Sequence, residues 1–197
     1  KAFTAGNDLK FTAAGGKSKM PPSGFAGLTQ RFDLEKPIIA AVNGFAMGGG
    51  FETALSCDII LSADTATFAL PEVKVGFFAA AGGVQRLSRY IGRLAAQELV
   101  LTGRSITAKE AIAMGVVNAV VPKAELLAAA MAKATQITAV SPSAVKASKR
   151  VLNALAVAEG LPDSLAYSRE VVADLAQTKD FKEGVQAFVE KRKPKWL

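Results

Sequence analysis

Short apolar runs bounded by glycine or proline alternate with helically spaced segments over the first 121 residues of the chain. The clearest run, residues 38–42 (Ile-Ile-Ala-Ala-Val), follows Pro37 and predicts a buried strand. Three later runs, over 58–63, 67–72 and 116–121, predict further strands. Strands that alternate with helical segments are typical of an α/β fold.

Helical spacing accounts for most of the intervening segments and for the rest of the chain. The predicted helices of the first part cover 27–33, 51–57, 84–91, 93–101 and 107–115. The last of these begins with Thr107-Ala-Lys-Glu110, a capping box. After Glu125 no segment has a strand pattern, and the spacing predicts four helices over about 124–139, 142–158, 163–177 and 180–191. We therefore predict a strand–helix part over 1–121 and a helical region over 122–197.

Three glycine-bearing turns each follow a predicted strand and enter a helix. They are Ala5-Gly6-Asn7-Asp8, Gly48-Gly49-Gly50 and residues 79–83, Ala-Ala-Ala-Gly-Gly. Glycine lets the backbone approach another group closely, and the first N–H groups of a helix have no internal partner. Backbone donors at such turns can stabilise a developing negative charge. Glycine turns are also ordinary at strand–helix junctions, so the pattern alone leaves both interpretations open.

Two glutamates, Glu52 and Glu72, stand in apolar sequence close to the predicted turns and strand ends. Partial burial raises the pKa of a carboxyl group because it disfavours the charged form. A pair of carboxyls in one cleft can divide the roles of acid and base. The alternative is that Glu52 only stabilises the start of its helix and that Glu72 is a surface residue after Pro71.

Composition narrows the chemistry that the chain can perform. Half of the residues are hydrophobic and 21% are charged, as in a globular protein. Histidine is absent, which excludes Ser-His-Asp and Cys-His catalysis and leaves acid–base work to carboxylates, lysines or tyrosines. The net charge of +7 suits a phosphate-bearing ligand or a nucleic acid. The single cysteine, Cys57, fits a reducing compartment, and no apolar run is long enough for a membrane span.

Together these residues resemble the enoyl-CoA hydratase/isomerase, or crotonase, family. The matching segments run in family order and are 2–9 (Ala-Phe-Thr-Ala-Gly-Asn-Asp-Leu), 36–44 with 48–52 and Asp58, 68–72 (Phe-Ala-Leu-Pro-Glu), 82–87, 101–103 and 187–192. The resemblance implies a spiral of ββα units with a C-terminal helical region that packs trimers or dimers of trimers. The family begins with strands and a helix that this sequence lacks, so we expect the natural chain to have further strands before Lys1.

The resemblance also implies an acyl-CoA substrate whose thioester carbonyl lies between two backbone N–H groups, those of Asn7 and Gly49. In the family's hydratases two glutamates hold the water, and these positions are Glu52 and Glu72; having both favours hydration or dehydration. Further substrate or CoA contacts are implied for Ala5, Asp8, Leu9, Gly48, Ala80, Ala81 and Lys191. Coenzyme A then arrives as part of the substrate, and no separate cofactor or metal is expected.

Within the family, residues 24–29, 49–52 and 190–196 look most like those of the carnitinyl-CoA dehydratases. The segment 77–81 (Phe-Phe-Ala-Ala-Ala) departs from the proline-containing sequence that the family usually has there. Because this segment lines the acyl pocket in the family, the acyl group stays open.

Two other functions stay open at this point. One is enoyl-CoA isomerisation or another reaction on the same fold, and the other is a non-catalytic, RNA-binding relative. The low aromatic content of 7% gives little support to base stacking, so nucleic acid is not an expected partner. We expect a cytoplasmic protein, or one of the mitochondrial matrix or peroxisome if the source is eukaryotic.

Overall fold

The strands in the described part of the chain form two small sheets. The structure is a computed structural model, and it describes residues 1–16, 19–140, 142–158, 173 and 176–195. The first sheet has the order β1-β3-β5-β6, with β1 Ala2–Thr4, β3 Phe45–Met47, β5 Thr67–Ala69 and β6 Ile106–Thr107. The second has the order β2-β4-β7, with β2 Ile39–Val42, β4 Ile59–Ala63 and β7 Ala119–Val121. Neighbouring strands are parallel except for β5 and β6.

The chain passes between the two sheets in a repeating order. After β2 it turns at Asn43-Gly44, continues as β3 in the other sheet and then enters α2 (Gly49–Leu55). β4 and β5 repeat this step and lead to a 3₁₀ turn (Pro71–Val75) and then to α3 (Gly83–Ile91). This strand–strand–helix repeat confirms the predicted α/β architecture of ββα units.

The remaining helices follow the sequence prediction closely. They are α1 Leu9–Ala13, α4 Arg93–Thr102, α5 Ala108–Ala113, α6 Leu126–Thr138, α7 Pro142–Ala158 and α8 Lys179–Val189. The capping box is present: Glu110 N–H donates to Thr107 Oγ1 at 3.2 Å, and Thr107 N–H donates to Glu110 Oε2 at 2.8 Å. The helix predicted over 163–177 lies almost entirely outside the described residues, and the division at residue 121 stays a prediction.

Apolar side chains from both sheets and from α2 and α3 form the core. Phe51 of α2 packs against Phe68 of β5, with ring centroids 5.3 Å apart. Val42, Leu55 and Leu87 are fully buried beside them. Burying one such side chain stabilises a fold by about 1.5–3 kcal/mol. The core therefore holds α2, which carries Glu52, against the strand that leads to Glu72.

Three local predictions were wrong or incomplete. The helix predicted over 27–33 is absent, and a short 3₁₀ turn, Phe25–Gly27, stands at its start. The Thr29 hydroxyl accepts the local Phe25 N–H, and the Thr29 carbonyl accepts a long-range bond from Arg86. The strands predicted over 67–72 and 116–121 are shorter than predicted and are confined to β5 and β7. The strands β3 and β6 were missed because three and two residues are too few to show a period.

The C-terminal helices pack against the strand-bearing part at two places. Lys149 of α7 is buried, and its Nζ donates to Asp58 Oδ2 at 2.8 Å and to the Lys36 carbonyl at 2.7 Å. The helix α8 packs against α1 and against the 3₁₀ turn that carries Glu72. The helical region therefore reaches the neighbourhood of the candidate site.

Replacing Lys149 by methionine is expected to lower the free energy of unfolding by about 1–3 kcal/mol. Breaking a buried ion pair costs more, about 3–5 kcal/mol, but the Asp58 side chain keeps 32% of its exposure and stays partly solvated. Urea denaturation measures the change. Arg150→Met on the same helix is the control, because its pair with Glu35 is loose, at 3.8 Å, and exposed. Equal losses in both variants would contradict the assigned role of Lys149.

Candidate active site

Glu52 lies in the first turn of α2 and is 4% exposed. Its backbone N–H donates to the Gly48 carbonyl at 3.0 Å, and its Oε1 accepts the Gly83 N–H at 2.9 Å. The pKa of Glu52 is raised to about 8, mainly by burial and also by the charge of Glu72, although the backbone amides of Gly83 and Ala81 and the charge of Arg86 oppose the shift. Glu52 is thus a buried carboxyl that holds its proton near neutral pH.

Glu72 follows β5 in the turn that begins with Pro71. Its carboxyl lies against Gly48: a β-carbon on that glycine would be 2.9 Å from Glu72 Oε1. Gly48 has φ +55° and ψ −126°, a conformation that glycine adopts without strain, so the sequence keeps this space open. The second oxygen, Oε2, is buried and has no hydrogen-bond partner among the described residues. Burial raises the pKa of Glu72 to about 7.

The structure brings the two carboxyls together at the start of α2. Gly48 touches the carboxyl of Glu72 and receives the backbone hydrogen bond of Glu52. Two like charges in one buried place repel, so the pair favours states in which a proton is held. A carboxyl pair that titrates near neutral pH, with one buried oxygen unpaired, suits proton transfer to a bound molecule.

The turn after β1 lies directly beside the turn after β3, because these strands are parallel neighbours. A β-carbon on Gly6 would be 2.9 Å from Gly49 N, so the residue before Asn7 touches the backbone of Gly49. The structure therefore brings the two predicted donor residues, Asn7 and Gly49, into one neighbourhood. Their roles as donors to a substrate stay predictions.

The other predicted contact residues fall into two groups. Ala5, Asp8 and Leu9 surround the Asn7 turn, and Ala80 and Ala81 precede α3. Asp8 already has a structural task, since its Oδ1 accepts the N–H groups of Lys10 and Phe11 at 2.9 and 3.3 Å as the N-cap of α1.

Lys191 stands apart from these groups. It follows α8 with a left-handed φ of +54° and is exposed. No hydrogen bond or ion pair of the described residues links it to the carboxyls. Its part in substrate binding stays a prediction.

Three residues close to the site, Phe25, Thr29 and Arg86, lie in segments that resemble the family, but the sequence analysis gave them no role. The Phe25 ring presses against Gly49, and Arg86 is a buried cation in α3. Arg86 has apolar neighbours, Val84 and Leu87, which are the sequence signal for its burial. Spacing alone, however, does not distinguish a buried arginine from an exposed one.

Aromatic side chains follow the Glu72 turn. The Phe77 N–H donates to the Glu72 carbonyl at 3.0 Å. The Phe77 ring lies 5.8 Å from the ring of Phe78 and 5.5 Å from the ring of Phe181 on α8, measured between centroids. The segment that departs from the family sequence is therefore braced by the C-terminal helix.

Two kinds of feature are absent from the described residues. Over the described ranges, no helix is both long and apolar enough to cross a membrane. The same residues contain no group of three or more Cys, Asp or Glu side chains arranged to hold a metal ion.

Comparisons with known proteins agree with this geometry. The whole chain, residues 1–197, matches the family described as enoyl-CoA hydratase/isomerase. A carnitinyl-CoA dehydratase from Salmonella typhimurium is 44% identical over 201 residues, covering 100% of this chain and 77% of that protein. The crystal structure of carnitinyl-CoA hydratase from Mycobacterium avium has a TM-score of 0.88 at 41% identity, over 98% of this chain and 75% of that chain.

A more distant structure gives the same fold. The enoyl-CoA hydratase/isomerase from Pseudoalteromonas atlantica T6c has a TM-score of 0.89 at 32% identity, over 100% of this chain and 78% of that chain. The predicted resemblance is therefore confirmed by sequence and by structure. The chain belongs to the enoyl-CoA hydratase/isomerase family.

Proposed function

We propose that this chain catalyses the reversible addition of water to the double bond of a 2-enoyl-CoA thioester, in the manner of a carnitinyl-CoA dehydratase. The observation that carries the proposal is the pair Glu52 and Glu72, which adjoin the start of α2 at Gly48 and whose pKa values burial raises to about 8 and about 7. The names of the relatives from Salmonella and Mycobacterium avium support a hydration or dehydration reaction. Residues that meet at the start of one helix can act on one substrate.

The thioester oxygen binds to the N–H groups of Asn7 and Gly49. As the reaction proceeds, negative charge moves onto this oxygen and an enolate forms. A preorganised donor in such a place is worth about 3 kcal/mol in the transition state. The contact between Gly6 and the Gly49 backbone supports the pairing of these two donors.

The two glutamates divide the proton transfers. In the reacting state the proton that the pair holds is on Glu72, and Glu52 is charged, a form that the backbone amides of Gly83 and Ala81 favour. Glu52 orients a water molecule and takes its proton while the water oxygen forms a bond to C3, and this proton returns to Glu72 through solvent after turnover. Glu72 gives a proton to C2, so that H and OH are added across the double bond and the enolate returns to a neutral thioester. A pKa of about 7 suits Glu72 for this task, because a group that titrates near the working pH is an effective acid and base.

Binding of the CoA moiety falls to residues around the three glycine turns and to the basic C-terminus. Ala5, Asp8, Leu9, Gly48, Ala80, Ala81 and Lys191 are the proposed contacts. Coenzyme A is part of the substrate, and the mechanism uses no separate cofactor. The net charge of +7 favours approach of a phosphate-bearing ligand.

Assembly and location are further parts of the proposal. A homotrimer or hexamer is supported by large apolar side chains that stand exposed on the described helices, among them Leu94 at 83% and Leu101 and Leu127 at 71% exposure. A cytoplasmic location fits the free thiol of Cys57.

The decisive experiment is product analysis with a panel of acyl-CoA thioesters. We expect hydration of crotonyl-CoA or crotonobetainyl-CoA to the 3-hydroxyacyl product, and the reverse dehydration. A 3-enoyl-CoA that is converted to the 2-enoyl isomer, without hydration of either compound, would favour an isomerase instead. RNA affinity that falls steeply with salt, with no turnover of any thioester, would favour a binding protein.

A further inference from the structure

A buried arginine joins two loops that flank the proposed catalytic groups. Arg86 lies in α3 and is 7% exposed. Its Nη1 donates to the Ala81 carbonyl at 3.2 Å, and its Nη2 donates to the Thr29 carbonyl at 2.6 Å. We call residues 79–83 the cradle loop and residues 24–32 the cover segment. One guanidinium thus connects the cradle loop to the cover segment.

The cradle loop surrounds the carboxyl of Glu52. The Gly83 N–H donates to Glu52 Oε1 at 2.9 Å, and the amide of Ala81 favours the charged form of the same carboxyl. The Ala81 carbonyl that Arg86 holds belongs to the same short loop. Movement of this carbonyl would therefore move the donors that orient Glu52.

The cover segment lies over Gly49. The Phe25 N–H donates to Thr29 Oγ1 at 2.8 Å, and the hydroxyl-bearing Thr29 is 1% exposed. The Phe25 ring is so close to Gly49 that a β-carbon there would be 2.6 Å from a ring atom. The hydrogen bond from Arg86 to the Thr29 carbonyl thus fixes the segment whose Phe25 ring contacts Gly49, the proposed oxyanion donor.

The surroundings of the guanidinium indicate that Arg86 fixes the two loops relative to each other and does more than stabilise the fold. No carboxylate among the described residues forms an ion pair with Arg86, although burying a charge without such a partner is costly. Its charge is met by two carbonyls and by the ring of Phe32, whose centroid is 5.9 Å from the guanidinium carbon. A rigid planar fork can hold two carbonyls at once, which the single ammonium of lysine does not reproduce.

We propose that Arg86 is a positioning residue for the hydration reaction: it fixes the cradle loop and the cover segment relative to each other, so that Glu52 and the Gly49 amide meet the substrate in one geometry. The proposal rests on the proposed function. Arg86 itself does not touch the substrate. It acts through Ala81 and Thr29, and its charge also favours the charged form of Glu52; Arg86→Lys keeps this charge and therefore tests the two hydrogen bonds by themselves.

The test compares Arg86→Lys and Arg86→Met with Lys149→Met, which removes another buried cation on a different helix. A displacement of about 1 Å at a catalytic group can cost about 100-fold in rate. We expect kcat to fall by about that factor in both Arg86 variants while KM for the thioester changes less than about threefold. Lys149→Met should lower stability and leave the kcat of the folded protein unchanged. Normal kcat in both Arg86 variants would overturn the proposal.

Hydrogen exchange gives a readout that does not depend on activity. In Arg86→Met the amides of Phe25 and Gly83 should exchange faster together, whereas in Lys149→Met both should stay protected. Unchanged protection of both amides in Arg86→Met would overturn the proposal even if turnover fell. If the wild-type chain hydrated no thioester, the proposed function would fail, and these exchange rates would still decide whether Arg86 links the two loops.

A milder pair of variants serves if Arg86→Met does not fold. Thr29→Val removes the hydroxyl that accepts the Phe25 N–H, whereas Thr29→Ser keeps it. We expect Thr29→Val to lower kcat with little change in KM, and we expect Thr29→Ser to have a kcat close to that of the wild type. Equal kcat in the two would overturn the part of the proposal that runs from Thr29 through Phe25 to Gly49, whereas the bond from Arg86 to the Thr29 carbonyl is present in both variants.

Discussion

Turnover of a 2-enoyl-CoA is expected to fall by about 10²- to 10⁴-fold when Glu72 is replaced by glutamine. Glutamine has nearly the same size, so the space beside Gly48 stays filled and the fold is preserved. What it lacks is an exchangeable acid proton with a pKa near neutrality, which burial gives to Glu72, at about 7. Single-turnover kinetics with crotonyl-CoA or crotonobetainyl-CoA measures the loss.

A binding measurement distinguishes the loss of a proton donor in Glu72→Gln from general damage to the site. The affinity for a saturated acyl-CoA, measured by calorimetry, should change little in Glu72→Gln, because the proposed donors to the thioester are backbone groups that this substitution leaves in place. Glu125→Gln, a surface glutamate in the turn before α6, is the matched control and should keep full turnover. Turnover near the wild-type value in Glu72→Gln would refute the assignment of Glu72 as proton donor.

Replacing Glu52 by glutamine is expected to stabilise the folded chain at alkaline pH, by an amount on the order of 5 kcal/mol at pH 9. Folding raises the pKa of this carboxyl from 4.5 to about 8, mainly through burial. Between these values the folded state binds more protons than the unfolded state, so the stability of the wild type falls as the pH rises through this window. Glutamine carries no such proton, and its oxygen can still accept the Gly83 N–H.

The pH dependence is the signature of this effect. The variant and the wild type should differ little near pH 4, diverge from about pH 5 to pH 8 and keep a constant difference above pH 8. Denaturant unfolding at a series of pH values measures this course, and turnover of Glu52→Gln should fall at the same time. A difference that is independent of pH would mean that Glu52 is not held protonated by its surroundings.

A second observation supports reading these carboxyls as functional. Natural folds seldom keep two repelling carboxyls in a buried place unless their chemistry is used, because the arrangement destabilises the chain. Glu52 and Glu72 show this cost directly, since the charge of one raises the pKa of the other. Loss of turnover with a gain in stability in one variant is the expected mark of such a site.

The amino-acid sequence by itself determined the elements whose signals are local. The apolar run that became β2, the glycine turn that opens α2 and the capping box of α5 were all predictable, because their hydrogen bonds and periods lie within a few residues. The sequence also indicated Glu52 and Glu72 as candidates from their apolar neighbours. The resemblance to the family then supplied Asn7 and Gly49 as the expected donors.

Only the tertiary structure decided which of these residues meet. Gly83 and Glu52 are 31 positions apart in the chain, and Arg86 and Thr29 are 57 apart, so no local pattern links them. The stretch predicted as a helix over 27–33 is instead held by Arg86 at the Thr29 carbonyl, in a segment that contacts Gly49 through Phe25. Burial, which raises both carboxyl pKa values and leaves one oxygen of Glu72 unpaired, arises from the packing of many residues and cannot be read from one stretch of sequence.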